Sequence, residues 1–319
     1  MMKSVLALIV LISYYPNSAA QDPYPELVRR FDYDRKAPLD LKQHRVTERG
    51  KVKIYDISYV SLKGGRVPAY LVVPQGKRPF AGILFGHWAM KGSPVRNRAE
   101  FLDEAVALAQ TGVISLLPDA PFARPGYKDS DEPFDPREPE FYFQQLLDLR
   151  RGVDLLLSRK DVDPVRIGYV GHSYNANVGG VLAGVEKRIK TFVLMAGSLS
   201  DAEAMRSDHP DMMKLRQAIG TEKIEKMIAQ TSWLDPFYYV GHAAPSSVLL
   251  QYAHNDGILT DSRVQYYFGL VSEPKMLKFY DATHALNPQA RRDRFEWLRK
   301  HLDLDPLDPA VLDEVGQVK

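Results

Sequence analysis

The sequence predicts an α/β protein built on a mostly parallel central sheet with helices on both faces, and three observations carry that expectation. From Phe80 to His301, short and almost continuous apolar runs alternate with amphipathic helical segments, the pattern of strands buried on both faces. Two earlier strand patterns, Lys51–Leu62 and Val67–Pro74, are joined by Lys63-Gly64-Gly65, a hairpin signal that makes this pair antiparallel. One buried run, Arg166-Ile-Gly-Tyr-Val-Gly-His172, ends abruptly in Gly171-His172-Ser173-Tyr174-Asn175, a sharp bend with serine at its apex.

The elements follow in order. Lys3, the unbroken apolar run Val5 to Ile12 and the small residues Asn17-Ser18-Ala19-Ala20 have the layout of a secretory signal peptide. The run is too short for the ~20 residues that span a bilayer. Residues 1–20 are therefore expected to be cleaved, which places the mature chain, 21–319, outside the cytoplasm, secreted or periplasmic. A polar lead-in from Gln21 to about Gly50 precedes the hairpin. Then come strand Phe80–Gly86, helix Ala99–Gln110, strand Val113–Pro118, helix Glu138–Arg159, strand Arg166–His172, helix Asn175–Val185 and strand Thr191–Ala196. After a break the alternation resumes with strand Ser247–Ala253, helix Ser262–Leu270, strand Lys275–Tyr280 and helix Pro288–His301.

The break, Leu199–Ala244, is helix-like and rich in methionine (Met205, Met212, Met213, Met227). It reads as a small helical insertion covering the site, with its methionines packing the insertion's own core. Arg291-Arg292-Asp293-Arg294 reads as a solvated helix face, and the tail 302–319 as a loosely packed extension. The expected organisation is one domain with its core at about 51–301.

Composition narrows the function. The 319 residues are 45% hydrophobic and 26% charged with a net charge of +2, enough material for a large core and too even a balance to favour nucleic acid or an anionic membrane. There is no cysteine, which rules out a thiol nucleophile, a thiolate metal site and lipid attachment through an N-terminal cysteine. No H-E-x-x-H and no phosphate-cradling glycine loop occur. No metal or organic cofactor is implied.

A serine hydroxyl needs a base within reach and a group that orients the base. The sequence supplies both in the order expected downstream of such a bend. Val248–Ala253 leaves the sheet toward Asp256-Gly257, and Met276–Tyr280 leads to a loop carrying His284. Ser173, Asp256 and His284 are the expected catalytic set. Asp201 and Asp261 are the rival acids, the latter more naturally a helix cap. His172 reads as a buried, hydrogen-bonded histidine. For the oxyanion, one backbone N–H is expected from Tyr174 at the start of the following helix. The second falls on the loop after Phe80–Gly86, with Trp88 the first choice and His87 the second. The position two residues after the nucleophile, which packs against Gly171, holds Asn175 where a small residue is expected.

From about Lys51 to His301 the chain resembles the α/β-hydrolase superfamily, in particular its dienelactone-hydrolase-like, acetyl xylan esterase and prolyl-oligopeptidase-domain branch. The resemblance lies in Asp163-Pro-Val-Arg-Ile-Gly-Tyr-Val-Gly-His-Ser173, in Trp233-Leu-Asp-Pro236 and in the Asp256 and His284 loops. It implies hydrolysis of a small-molecule ester through an acyl-enzyme, with Ser173 as nucleophile, His284 as base and then acid, and Asp256 as orienter. Two other readings remain open: a peptidase or amidase using the same machinery, and a catalytically silent binding protein, which Asn175 keeps in play. Oligomeric state is not legible.

Overall fold

The computed structural model describes residues 23–316 apart from 77–78, 131–134, 136, 198–199, 207–209 and 258. The signal segment expected at 1–20 lies outside the described residues. Among the described residues nine strands form one sheet: β1 (Lys42–Arg49), β2 (Val52–Val60), β3 (Arg66–Pro74), β4 (Phe80–Gly86), β5 (Val113–Pro118), β6 (Val162–His172), β7 (Thr191–Met195), β8 (Ser247–Ala253) and β9 (Lys275–Tyr280). Their order is β1-β2-β3-β5-β4-β6-β7-β8-β9. The first three strands and the β3–β5 pair run antiparallel, and every pair from β5 through β4 to β9 is parallel. The Gly64-Gly65 hairpin is present, with Val60 opposite Arg66.

The helices are α1 (Tyr24–Arg29), α2 (Leu102–Ala109), α3 (Glu138–Ser158), α4 (Tyr174–Val185), α5 (Asp201–Arg206), α6 (Pro210–Ile219), α7 (Thr221–Thr231), α8 (Asp261–Leu270), α9 (Pro288–Leu302) and α10 (Pro309–Asp313). Strand side chains alternate between the two faces, and helices cover both. Ile83 and Phe85 of β4 pack with Ala105 and Leu108 of α2 and with Phe295 and Leu298 of α9. Leu84 faces the other way, into a core with Leu146, Leu149 and Val153 of α3 and Val178 and Leu182 of α4. Strands β4, β5, β7 and β8 are buried along their whole length, which is why they read as unbroken apolar runs.

The chain steps from β4 to β5 on one side and then to β6 on the other. That reversal opens a crevice beyond the carboxyl ends of β4 and β6, where α/β sheets bind ligands. Local signals set the boundaries nearby. Asn287 caps α9 by accepting the Ala290 N–H, Pro288 follows it, and Asp303 ends the helix in the left-handed region at φ 51°.

Three expectations are corrected. The polar lead-in contains β1, whose eight residues are all exposed. It is held by backbone pairing to β2 and by polar side-chain contacts such as Arg49 to Asp103, so no buried face marked it in the sequence. The tail is not loose: Leu302, Leu304 and Leu312 are buried, and the Arg291 guanidinium donates to the carbonyls of Leu312, Val315 and Gly316. The arginine-rich stretch of α9 is not a solvated face either. Arg291 and Arg294 are buried, and Arg294 grips both oxygens of Glu104 on α2, the forked geometry that lets a guanidinium sit inside a protein.

Between β7 and β8 the chain forms α5, α6, α7 and three short 3₁₀ turns at Ser232–Leu234, Pro236–Tyr238 and Val240–His242. Met205, Ile224 and Ile228 make a small separate core there. Met213 is exposed and Met212 and Met227 are half-buried, so only Met205 takes the packing role expected of all four.

Candidate active site

The bend after β6 is built by close approach. Ser173 has φ 54° and ψ −114°, a conformation that costs a non-glycine residue roughly 1–3 kcal/mol and persists only when its surroundings hold it. Here the Ser173 N–H donates to the Met195 carbonyl of β7 at 2.7 Å. The buried Tyr169 hydroxyl donates to the Asn175 carbonyl at 2.7 Å. A Cβ on Gly171 would lie 2.2 Å from the Asn175 carbonyl oxygen, so this position admits only glycine.

Asn175 does not crowd the bend. Its side chain is fully buried and lies over Gly86 at the end of β4, where an added Cβ would come within 2.6 Å of it. The space that the sequence pattern asks of residue 175 is supplied from the neighbouring strand. Both ends of the amide are used. Nδ2 donates to the His87 carbonyl at 2.6 Å, and Oδ1 accepts from Gln145 Nε2 of α3 at 2.9 Å. Asn175 thus ties the loop after β4 to the bend after β6.

The three expected catalytic residues meet. His284 Nε2 is 2.8 Å from Ser173 Oγ, and His284 Nδ1 is 2.9 and 3.0 Å from the two oxygens of Asp256. The carboxylate fixes the tautomer: Nδ1 donates to Asp256, leaving Nε2 to accept from the serine hydroxyl. The Asp256 side chain is buried, while His284 keeps 12% of its side-chain surface open. Their loops are knitted together, since His254 N–H donates to the Tyr280 carbonyl and Asn255 N–H to that of Ala282. Of the rival acids, Asp201 begins α5, and Asp261 begins α8 and pairs with the exposed His254 at 2.9 Å.

Tyr174 opens α4 directly after Ser173, so its N–H lies at the positive end of the helix dipole. The loop after β4 departs from the first choice made on sequence. Trp88 N–H is donated to Glu100 Oε2 at 2.5 Å in a buried contact. His87 is locked as a neutral ring. Its Nε2 accepts the Ala120 N–H at 2.9 Å, so Nδ1 carries the proton and donates to the Trp88 carbonyl at 2.8 Å. Complete burial pushes its pKa from 6.5 down to about 4.

Glu100 escaped the sequence reading. Its second oxygen lies 2.5 Å from Nδ1 of His172, and Nε2 of that ring reaches the backbone carbonyl of His284 at 2.9 Å. The rings of Trp88, His172 and His284 pack against one another as a cluster, with centroids 5.2 Å, 5.3 Å and 6.5 Å apart. The only hint in the sequence was an acid in the first turn of the expected helix Ala99–Gln110, which reads as a partner of the helix dipole.

Beside Tyr174 opens a cleft of about 240 Å³ lined by Lys91, Arg96, Phe122, Tyr127 and Phe141. Phe122 and Tyr142 both set ring edges against Tyr174. No cluster of three metal-ligating side chains occurs among the described residues, and no helix among them is long and apolar enough to cross a membrane.

No protein-family profile matches the sequence, and no curated protein matches it. Solved structures do. An acetyl xylan esterase from a Paenibacillus species is 18% identical, with a TM-score of 0.67 over 88% of this chain and 93% of that one. Acetyl xylan esterase 1 from a Thermoanaerobacterium species is 14% identical, with a TM-score of 0.70 over the same shares, 88% and 93%. An alpha/beta hydrolase from a Penicillium species is 16% identical, with a TM-score of 0.56 over 78% of this chain and 98% of that one. Likeness at these identities speaks for architecture, and it agrees with the strand order and the bend after β6: the chain has the α/β-hydrolase fold.

Proposed function

We propose that the protein is an exported serine hydrolase that cleaves a small carboxylic ester through an acyl-enzyme. One observation carries the reading: Ser173, held at φ 54°, meets His284 Nε2 at 2.8 Å while Asp256 holds the opposite nitrogen. His284 takes the serine proton as Oγ attacks the ester carbonyl, and Asp256 stabilises the imidazolium that forms. The tetrahedral oxyanion is met by the Tyr174 N–H and by the loop after β4. With Trp88 N–H held by Glu100, the second donor falls to the His87 N–H. His284 then returns its proton to the departing alkoxide, and water repeats the sequence on the acyl-enzyme.

Ester rather than amide as substrate is supported by the esterases among the structural neighbours, a fold-level analogy. The silent-protein reading loses its motive, because Asn175 is accommodated by Gly86. Export rests on the signal-peptide layout of residues 1–20.

A fluorophosphonate probe tests the proposal on the mature protein. It should label the wild type and leave Ser173→Ala unlabelled; equal labelling of the two, or none of the wild type, would overturn the assignment. Faster turnover of a peptide nitroanilide than of p-nitrophenyl acetate would move it to the amidases.

A further inference from the structure

Next to the nucleophile lies a second acid–histidine pair that the proposed chemistry does not consume. The side chains of Glu100 and His172 are both 0% exposed and lie 2.5 Å apart. We propose that this pair holds one proton permanently, and that it positions the His284 loop and the Trp88 loop on either side of the nucleophile. The effect on rate rests on the serine-hydrolase reading; the state of the pair does not.

The proton count follows from the partners. The His284 carbonyl has no hydrogen to give, so His172 Nε2 must donate to it. The Trp88 N–H occupies Glu100 Oε2, leaving Oε1 to face Nδ1. Without a proton between them, two lone pairs would oppose each other at 2.5 Å in a site closed to water. With a second proton, the pair would carry a net positive charge in a site closed to water. Both are costly where nothing else can solvate the charge. One shared proton remains, written either as carboxylate and imidazolium or as carboxylic acid and imidazole, and the pair is neutral in both forms. Trp88 and His284 both pack against the His172 ring, and Phe101 meets it at a steep angle. The titratable group facing it is therefore His284, with Asp256 beyond.

Geometry gives the pair its role. Three segments are joined through two side chains: the loop after β4 by Trp88 N–H to Glu100, the bend after β6 by His172 itself, and the base loop by His172 to the His284 carbonyl. Asp256 orients the His284 ring, whereas His172 fixes the backbone from which that ring projects. Neither Glu100 nor His172 touches the reacting atoms. Both are positioning residues.

Two measurements test this. In histidine-labelled wild-type protein, ¹⁵N NMR should show His172, assigned by its disappearance in His172→Asn, unchanged across the ~5–8 range in which an ordinary histidine titrates. A His172 signal that titrates there would overturn the proposal. Second, fluorophosphonate labelling rates are compared at matched thermal stability. Glu100→Leu leaves both Trp88 N–H and His172 Nδ1 without partners, and labelling should slow roughly 100-fold, the effect of a small misplacement of the base. Glu100→Gln can accept from Trp88 and donate to His172, and should recover most of that rate. Leucine labelling as fast as wild type, or glutamine giving no recovery over leucine, would sink the positioning role. If wild type itself does not label, the hydrolase reading fails and NMR still decides the pair. If Glu100→Leu does not fold, the wild-type titration and the Gln variant decide it.

Discussion

The front and the back of the bend after β6 each carry an acid–histidine pair, and the two pairs behave differently. In front, Asp256 and His284 are joined at 2.9 Å, and the ring's other nitrogen faces a serine hydroxyl and open space. Behind, Glu100 and His172 are joined at 2.5 Å, and the ring's other nitrogen faces a backbone carbonyl with no opening at all. What lies at the far nitrogen sets the role. A hydroxyl can surrender a proton and receive it back, so the front ring is free to cycle. A carbonyl can only accept, so the back ring has nothing with which to exchange a proton at that nitrogen. Acid–histidine proximity by itself says nothing about catalysis.

The contrast can be broken by experiment, beginning with the largest effect. Asp256→Asn should preserve the fold and lower kcat by roughly 10⁴-fold, because an amide that donates to Nδ1 favours the wrong tautomer. A loss no greater than that of Glu100→Leu would mean that the two pairs do the same job. Next is a pH effect on stability from the third histidine of the site. His87 must be neutral to accept from Ala120, and its pKa falls from 6.5 unfolded to about 4 folded. The unfolded chain then binds the extra proton between those values. Stability from this group is fully present above 6.5 and lost as pH falls through 4, by at most about 3 kcal/mol. Thermal melts at stepped pH should show that slope in wild type and a flatter one in His87→Gln; identical slopes would remove His87 as its source.

Smaller again is Asn175→Ala. It strips partners from the buried His87 carbonyl and the Gln145 amide, an expected cost of roughly 2 kcal/mol in urea unfolding. Labelling should slow as well, because the loop after β4 loses its tie to the bend. A variant as stable and as fast as wild type would return Asn175 to the status of a tolerated oddity.

What was legible in the sequence was whatever a strand end announces. Ser173, Asp256 and His284 each follow an apolar run that leaves the sheet, so order and context sufficed to bring them forward together. The antiparallel hairpin was legible because two glycines separated two buried patterns. The second acid–histidine pair was only half legible: His172 sits in the bend and read as buried and hydrogen-bonded, but its partner Glu100 stands 72 residues away and lies in no motif. The first β-strand left no trace because it buries nothing. The tail misled by its alternating aspartates, although Leu304 and Leu312 between them are buried. Asn175 was misjudged because the room for it comes from Gly86, on another strand.

That last arrangement bears on moving this machinery elsewhere. Residues 171 to 175 are not a portable cassette. Grafted onto another sheet of the same architecture, the asparagine would collide with any side chain at the end of the adjacent strand, and without a glutamine across from it would bury an unanswered amide oxygen. A transplant has to carry Gly86 and Gln145 with it or replace Asn175 with glycine. A sequence pattern that demands glycine at both ends of the bend would pass over this chain, although its geometry is intact.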